Sequence, residues 1–192
     1  LAFFNNGKIS KLELFNMAST LYNVIDDSLL AGKNLASGDS IYINFLEGGI
    51  NRIQVKGGAL GEFSPEKNNS KVDTTIFYGA DFLDYHIDDE LTFLENNAYV
   101  KYQDTKLSSG KIKVDWQTNL LDAINLNDEY PRIKTEGEAP MHGSSMVFDI
   151  IAKHGQIDQG RTSYNQSFYH GEKVFRDDPN IFHVKKSKYT SC

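Results

Sequence analysis

The sequence predicts an all-β protein of antiparallel strands, and three observations carry this. Apolar and polar residues alternate with period two, clearest where Ile41, Ile43 and Phe45 oppose Ser40, Tyr42 and Asn44. The alternating runs are short and separated by Gly, Asn, Asp or Pro, the residues that permit reversals. A block reading Gly7-Lys8-Ile9-Ser10-Lys11-Leu12-Glu13-Leu14, followed by Ala18 and Tyr22, returns 41 residues later. The second copy is Gly48-Gly49-Ile50-Asn51-Arg52-Ile53-Gln54-Val55, followed by Ala59 and Phe63. A unit repeated at such a period points to stacked or rolled-up strands.

Taken in order, residues 1–70 hold the two-copy repeat. Residues 16–33 between the copies carry Leu21, Val24, Ile25 and Leu29 at helix-compatible spacing. Asp26-Asp27 and Gly32 interrupt that run, so strand and loop are expected. Gly38-Asp39 opens the strand of Ile41, and Glu47-Gly48-Gly49 makes a hairpin turn into Ile53 and Val55. Residues 64–70 read as a polar loop.

Residues 71–142 supply middle strands. Leu83, Tyr85 and Ile87 alternate up to a turn at Asp88-Asp89-Glu90, which leads into Leu91-Thr92-Phe93. A further turn at Glu95-Asn96-Asn97 is expected before Val100 and Tyr102. Ser108-Ser109-Gly110 leads into Ile112, Val114 and Trp116, with Lys111, Lys113 and Asp115 facing away. Pro131 and Pro140 bracket a connecting segment. In residues 143–192, Met146, Phe148 and Ile150 alternate with Val147 and Asp149. A turn at Lys153-His154-Gly155 follows, then short runs around Ile157, Tyr164, Phe168-Tyr169, Val174-Phe175 and Ile181 to Val184. Roughly 12 to 16 strands of five or six residues are expected, in one elongated domain over 1–192.

Composition excludes several classes. At 192 residues, with 40% hydrophobic and 24% charged, the chain is globular in character, and no run approaches the length of an apolar spanning helix. A net charge of −6, with no concentrated basic stripe expected to offset it, argues against nucleic acid as the main partner. Lys185-Lys186-Ser187-Lys188 reads as a solvated edge strand kept from aggregating by its lysines. The opening Leu1-Ala2-Phe3-Phe4 has no preceding Met, so a piece of a longer chain is expected. The single cysteine, Cys192, is either an inert thiol or half of a disulfide with a cysteine elsewhere, and spacing leaves both readings open.

No constellation for catalysis emerges. Residues 155–162 imitate a phosphate-binding loop, but Arg161 stands where lysine belongs and no helix follows, so a hairpin turn is expected. Asp88-Asp89-Glu90 reads as a solvated turn, and Ser144-Ser145 lacks the elbow a nucleophile needs. The histidines His86, His142, His154, His170 and His183 show no ligand spacing. Asn68-Asn69-Ser70 and Asn165-Gln166-Ser167 match the glycosylation triplet, a pattern frequent by chance. What stands out is aromatic content, 12% with ten Tyr and twelve Phe. The apolar faces either fill an ordinary core, the simpler reading, or line a groove for a greasy ligand.

Residues 143–192 carry, in order, Gly143 to Met146-Val147-Phe148-Asp149, Gly155-Gln156-Ile157, Gly160-Arg161-Thr162-Ser163-Tyr164, Phe168-Tyr169-His170-Gly171-Glu172 and the closing Tyr189-Thr190-Ser191-Cys192. This pattern resembles the periplasmic N-terminal domain of the lipopolysaccharide-assembly protein LptD and the wider OstA-like family, and the upstream repeats resemble its strand units more loosely. The resemblance implies an incomplete antiparallel β-jellyroll, V-shaped, with an apolar interior along which lipopolysaccharide passes. It implies no enzyme activity and no cofactor. Partners would be the lipid A acyl chains, a periplasmic bridge protein of LptA type, and an outer-membrane β-barrel with its plug lipoprotein of LptE type. The place would be the periplasmic face of the outer membrane. Cys192 matches the family cysteine that pairs with one in the barrel.

On that reading, alternation assigns Ile41, Ile43, Phe45, Leu91, Phe93, Val100, Tyr102, Ile112, Val114, Trp116, Phe148 and Ile150 to the lipid groove. The unpaired edge that meets the bridge is expected near Ile9 to Leu14. Two other readings stand beside it: a structural β-solenoid or sandwich for protein contacts or adhesion with no lipid, and a separate bridge component in the manner of LptA or LptC.

Overall fold

The computed structural model describes every residue except 27, 68, 69, 71, 165, 179, 180 and 192. The described residues form one antiparallel sheet of fourteen strands, rolled on itself, and no helix. In the first half β1 (Ala2–Asn5), β2 (Lys8–Asp26), β3 (Leu29–Leu46), β4 (Gly49–Pro65), β5 (Ile76–His86), β6 (Leu91–Tyr102) and β7 (Thr105–Asp115) pair successively. β8 (Leu120–Ile124) and β9 (Arg132–Thr135) both lie against β7, as one strand interrupted midway. β10 (Met141–His142) and β11 (Ser145–Asp149) likewise share β12 (His154–Tyr164), and β13 (Ser167–Asp178) and β14 (Ile181–Ser191) complete the sheet.

The strands differ from expectation in length. β2, β3 and β4 span 19, 18 and 17 residues, because the chain bends at their centres rather than reversing. Asn16-Met17 in β2, Gly57-Gly58 in β4 and Asn96-Asn97 in β6 all have positive φ, between 53° and 78°. Each pair faces a single residue on the next strand, namely Asp39, Asp81 and Gly110, so each is a β-bulge. Stacked across the sheet, the bulges form a crease. Glu95-Asn96-Asn97 is therefore not a turn, and Gly38-Asp39 and Ser108-Ser109-Gly110 lie inside strands rather than opening them. Beyond the crease, the segment between Pro131 and Pro140 contains β9, and residues 155–162 lie within β12 instead of forming a turn.

Side chains stitch the crease together. Asn97 Nδ2 donates to Asp81 Oδ2 at 3.1 Å, the Asn97 amide donates to Glu129 Oε2 at 2.7 Å, and Asn127 Nδ2 donates to Asn96 Oδ1 at 2.8 Å. The sequence repeat is the outward sign of this line. Ala18 and Ala59 follow their bulges and are buried, and so does Ala98 in β6, a third copy that ends on Tyr102.

The crease divides the sheet into two walls whose buried faces meet. Hairpin residues from 40–56, 82–95, 111–124 and 145–158 make the first wall. Residues 18–26, 29–37, 59–65, 76–80, 98–109, 132–142, 160–164 and 167–171 make the second. Ile41, Val55, Leu94, Ile112 and Leu121 are at most 1% exposed between them, each worth roughly 1.5–3 kcal/mol by burial. Rings bridge the walls: Tyr22 stacks on Tyr85 at 5.8 Å, and Trp116 lies 5.9 Å from Tyr78. The outermost strands β1 and β14 do not pair with each other, so the jellyroll is incomplete. Ile9 to Leu12 are covered by β1, and Lys11 and Leu12 pair with β3 as well, which leaves β1 itself and β2 beyond Leu14 as the amino-terminal edge.

Candidate functional site

Opposite the crease, where the walls come together at their tips, they leave a cavity of about 300 Å³. Small-ligand sites run from roughly 300 to 1,000 Å³. The first wall contributes Tyr85, Val114, Trp116 and Ile150, and the second contributes Tyr22, Phe63, Ile76 and Val100, with Val72 from the loop before β5. Trp116 is positioned by its indole Nε1, which donates to Thr92 Oγ1 at 2.8 Å.

Apart from the Glu90 carboxylate, which also lines the cavity, the polar groups here are neutral or self-paired. Tyr78 donates its hydroxyl to Asn34 Oδ1 at 2.6 Å, and both side chains are buried. Burial, reinforced by the neighbouring phenols Tyr78 and Tyr85, pushes the Tyr22 hydroxyl well above its ordinary range. Burial and then the charge of Glu90 push Tyr85 up to about 12. The cluster sets phenol hydroxyls, uncharged at neutral pH as any tyrosine is, against hydrocarbon walls, an environment suited to an uncharged tail. Among the described residues, nothing in it pairs a nucleophile with a base.

A second opening lies at the carboxy-terminal end, a groove of about 670 Å³ bordered by Met141, Tyr169, Val174, Phe182, Val184 and Tyr189. The tyrosine rings there are 5.2 Å apart. Under Met146, Phe148 and Ile157 only about 20 Å³ is free, so the interior is packed beside the crease and open at the tips and at this end.

The twelve residues assigned by alternation separate into three groups. Val100, Val114, Trp116 and Ile150 line the tip cavity. Ile41, Ile43, Tyr102, Ile112 and Phe148 are buried in the packed core, with Phe45 half-buried against it. Leu91 and Phe93 do not face the interior. In β6 the buried positions are Thr92, Leu94, Ala98, Val100 and Tyr102, so Leu91 and Phe93 share the outer face. There Phe93 meets the His86 ring at 5.4 Å and the Lys111 ammonium at 6.0 Å. Alternation misplaces Leu91 and Phe93 because a turn at Asn96-Asn97 would hide the common parity of 92–94 and 98–102, which the bulge preserves. Cys192 and the glycosylation triplets' asparagines Asn68, Asn69 and Asn165 lie outside the described residues.

Tyr22, Asn34, Phe63, Val72 and Tyr85 line the cavity without belonging to the set that alternation assigns. Tyr22 and Phe63 had a legible signal, since each is the aromatic closing a copy of the repeat. The third such aromatic, Tyr102, instead donates its hydroxyl to Asp73 Oδ1 at 2.7 Å.

No family model matches this chain, and no curated protein matches it significantly. Among solved structures it is similar to LptH from Pseudomonas aeruginosa, described as the LptA-homologous periplasmic component of the conserved lipopolysaccharide transport device. The two are 13% identical with a TM-score of 0.47, over 67% of this chain and 94% of that one.

Proposed function

We propose that this chain is a non-enzymatic periplasmic module of lipopolysaccharide transport that holds acyl chains between its two walls. The observation that carries the reading is the tip cavity, apolar on both walls, bordered by protonated phenols and placed where the walls can separate without breaking a strand pair. The motif order of residues 143–192 supports it independently. Each buried methylene contributes about 0.8 kcal/mol, so a dozen carbons bring roughly 10 kcal/mol as an upper bound. In the fuller form of the proposal, a bridge protein of LptA type meets one sheet edge. An outer-membrane barrel with an LptE-type plug follows Cys192, which pairs with a barrel cysteine. Val100, Val114, Trp116 and Ile150 then contact lipid directly.

The test uses the single tryptophan. Trp116 emission should shift to the blue on titration with lipid A, and a photo-crosslinker at Ile150 should label it while one at Lys113 on the outer face should not. Equal labelling at both positions sinks the groove. The rival reading, a structural β module without lipid, is favoured by the tight packing of Ile41, Leu94 and Ile112 beside the crease. Under it, native mass spectrometry of protein from a lipopolysaccharide-bearing host shows no co-purifying lipid.

A further inference from the structure

We propose that the outer face of the second wall is a docking surface for a membrane rich in anionic phospholipid. The face is on the outside of the roll, so the inference does not depend on the acyl-chain reading. Strand register assembles there a row of basic residues that is dispersed in the chain. Arg132 pairs with His142, His142 with Arg161, Arg161 with His170, and His170 with Lys188, across β9, β10, β12, β13 and β14. A parallel row sets Lys101 opposite Lys106 and Lys106 opposite Lys134. Neighbouring strands are about 4.8 Å apart, so Lys101, Lys106 and Lys134 stand side by side, while in the first row the imidazoles of His142 and His170 alternate with Arg132, Arg161 and Lys188. All are exposed except His170, which is half-buried.

Like charges directly opposite one another destabilise a sheet, and a chain of net charge −6 has carboxylates enough to separate them. Among the described residues, none of Lys101, Lys106, Arg132, Lys134, Arg161 or Lys188 forms an ion pair. Of the carboxylates nearby, Glu62 lies in the continuation of the lysine row, in register with Phe77, Asp104 and Glu136 flank Lys106 and Lys134 at the strand ends with Asp104 held by Lys153 at 3.0 Å, and Glu172 is held by Lys186 at 2.6 Å. The Lys106 ammonium instead lies over the Tyr99 ring at 4.4 Å.

The same face carries exposed apolar side chains toward the amino-terminal strands. Leu21 pairs with Leu35, Leu35 with Glu62, Glu62 with Phe77 and Phe77 with Lys101, so the lysine row continues into one that is apolar except at Glu62. Leu21, Leu35, Leu60 and Phe77 are each more than 40% exposed. A sheet face that is cationic over one half and apolar over the other complements an anionic bilayer surface, where head groups and the upper hydrocarbon lie in one plane. An acidic protein would use the cations but leaves the leucines unexplained.

Co-sedimentation of the full chain with vesicles tests this. Vesicles of phosphatidylglycerol mixed into phosphatidylcholine should bind it, phosphatidylcholine alone should not, and added salt should release it. The triple variant K101Q/K106Q/K134Q should lose binding by about a hundredfold. It should also unfold at higher urea than the parent, because the repulsion is relieved, whereas a purely structural role for the lysines predicts the reverse. Lys113→Gln, on the first wall, should leave binding unchanged. Equal binding to both vesicle types, or by the triple variant, overturns the proposal. So does displacement by soluble polyglutamate at matched charge, which assigns the face to an acidic protein. The Trp116 titration with lipid A is a separate readout that the triple variant should not alter, so failure of one reading leaves the other standing.

Discussion

Replacing Gly57 by alanine should destabilise this protein far more than replacing its neighbour Gly58, although both sit in the same bulge. Each has positive φ, 78° and 59°, and a left-handed backbone costs an L-residue about 1–2 kcal/mol. Part of that is recovered, about 0.4–1 kcal/mol, because alanine restricts the unfolded chain. At Gly58 a Cβ would meet nothing within 4 Å, so the net loss is roughly 1 kcal/mol. At Gly57 the same Cβ would collide with the side chain of Asp39, which opposes the β2 bulge and lies beside this one on β3. Overpacking adds about 1–3 kcal/mol, for a total near 2–4. Urea unfolding with unchanged slope reads the difference directly as a shift in midpoint. Asp39→Ala in the Gly57→Ala background should restore most of the excess. Gly58→Asn should be almost silent, since asparagine holds left-handed positions in the bulges of β2 and β6. Equal losses at Gly57 and Gly58, or no recovery on trimming Asp39, would refute the account of the crease as a sterically specified bend.

Four other outcomes follow from the packing and charges. Ile112→Ala should cost about 2–5 kcal/mol as a core truncation, while Phe93→Ala on the outer face costs clearly less; comparable urea midpoints for the two would overturn the parity assigned to β6. Asp84 is buried, which alone would raise its carboxyl, but Arg52 donating Nε at 2.7 Å and the adjacent His86 hold it below the usual value. Its stabilisation is present above the unfolded carboxyl value of about 3.9 and is lost as pH falls through its own lower value, so Asp84→Asn should flatten the acid limb of a pH–stability curve. The phenols Tyr22, Tyr78 and Tyr85 are raised mainly by burial; stability present below about pH 10 should decline as pH rises towards their folded values, and an absorbance titration should show a late-ionising group that is normal once urea is added. Thr92→Val removes the acceptor for the Trp116 indole and should cost about 0.5–1.5 kcal/mol, with a measurable change in emission.

Alternation by itself determined that this chain is all-β and antiparallel, and turn chemistry located hairpins such as Glu47-Gly48, whose φ values are 52° and 89°. Local pattern suffices there because side-chain direction and tight reversal are properties of a few consecutive residues. The repeat also marked the aromatic positions Tyr22 and Phe63 that the cavity uses. Tertiary structure alone decided the rest. Asn96-Asn97 looks the same in sequence whether it reverses a chain or bends it, since both need left-handed backbone, and only the partner strand with its one opposing Gly110 selects the bulge. That choice set which face Leu91 and Phe93 take. Whether the walls touch depends on ring pairs such as Tyr22 with Tyr85, contributed by strands that are not sheet neighbours. The basic row from Arg132 to Lys188 is likewise a product of register, because residues far apart along the chain become adjacent only when hydrogen bonding aligns their strands.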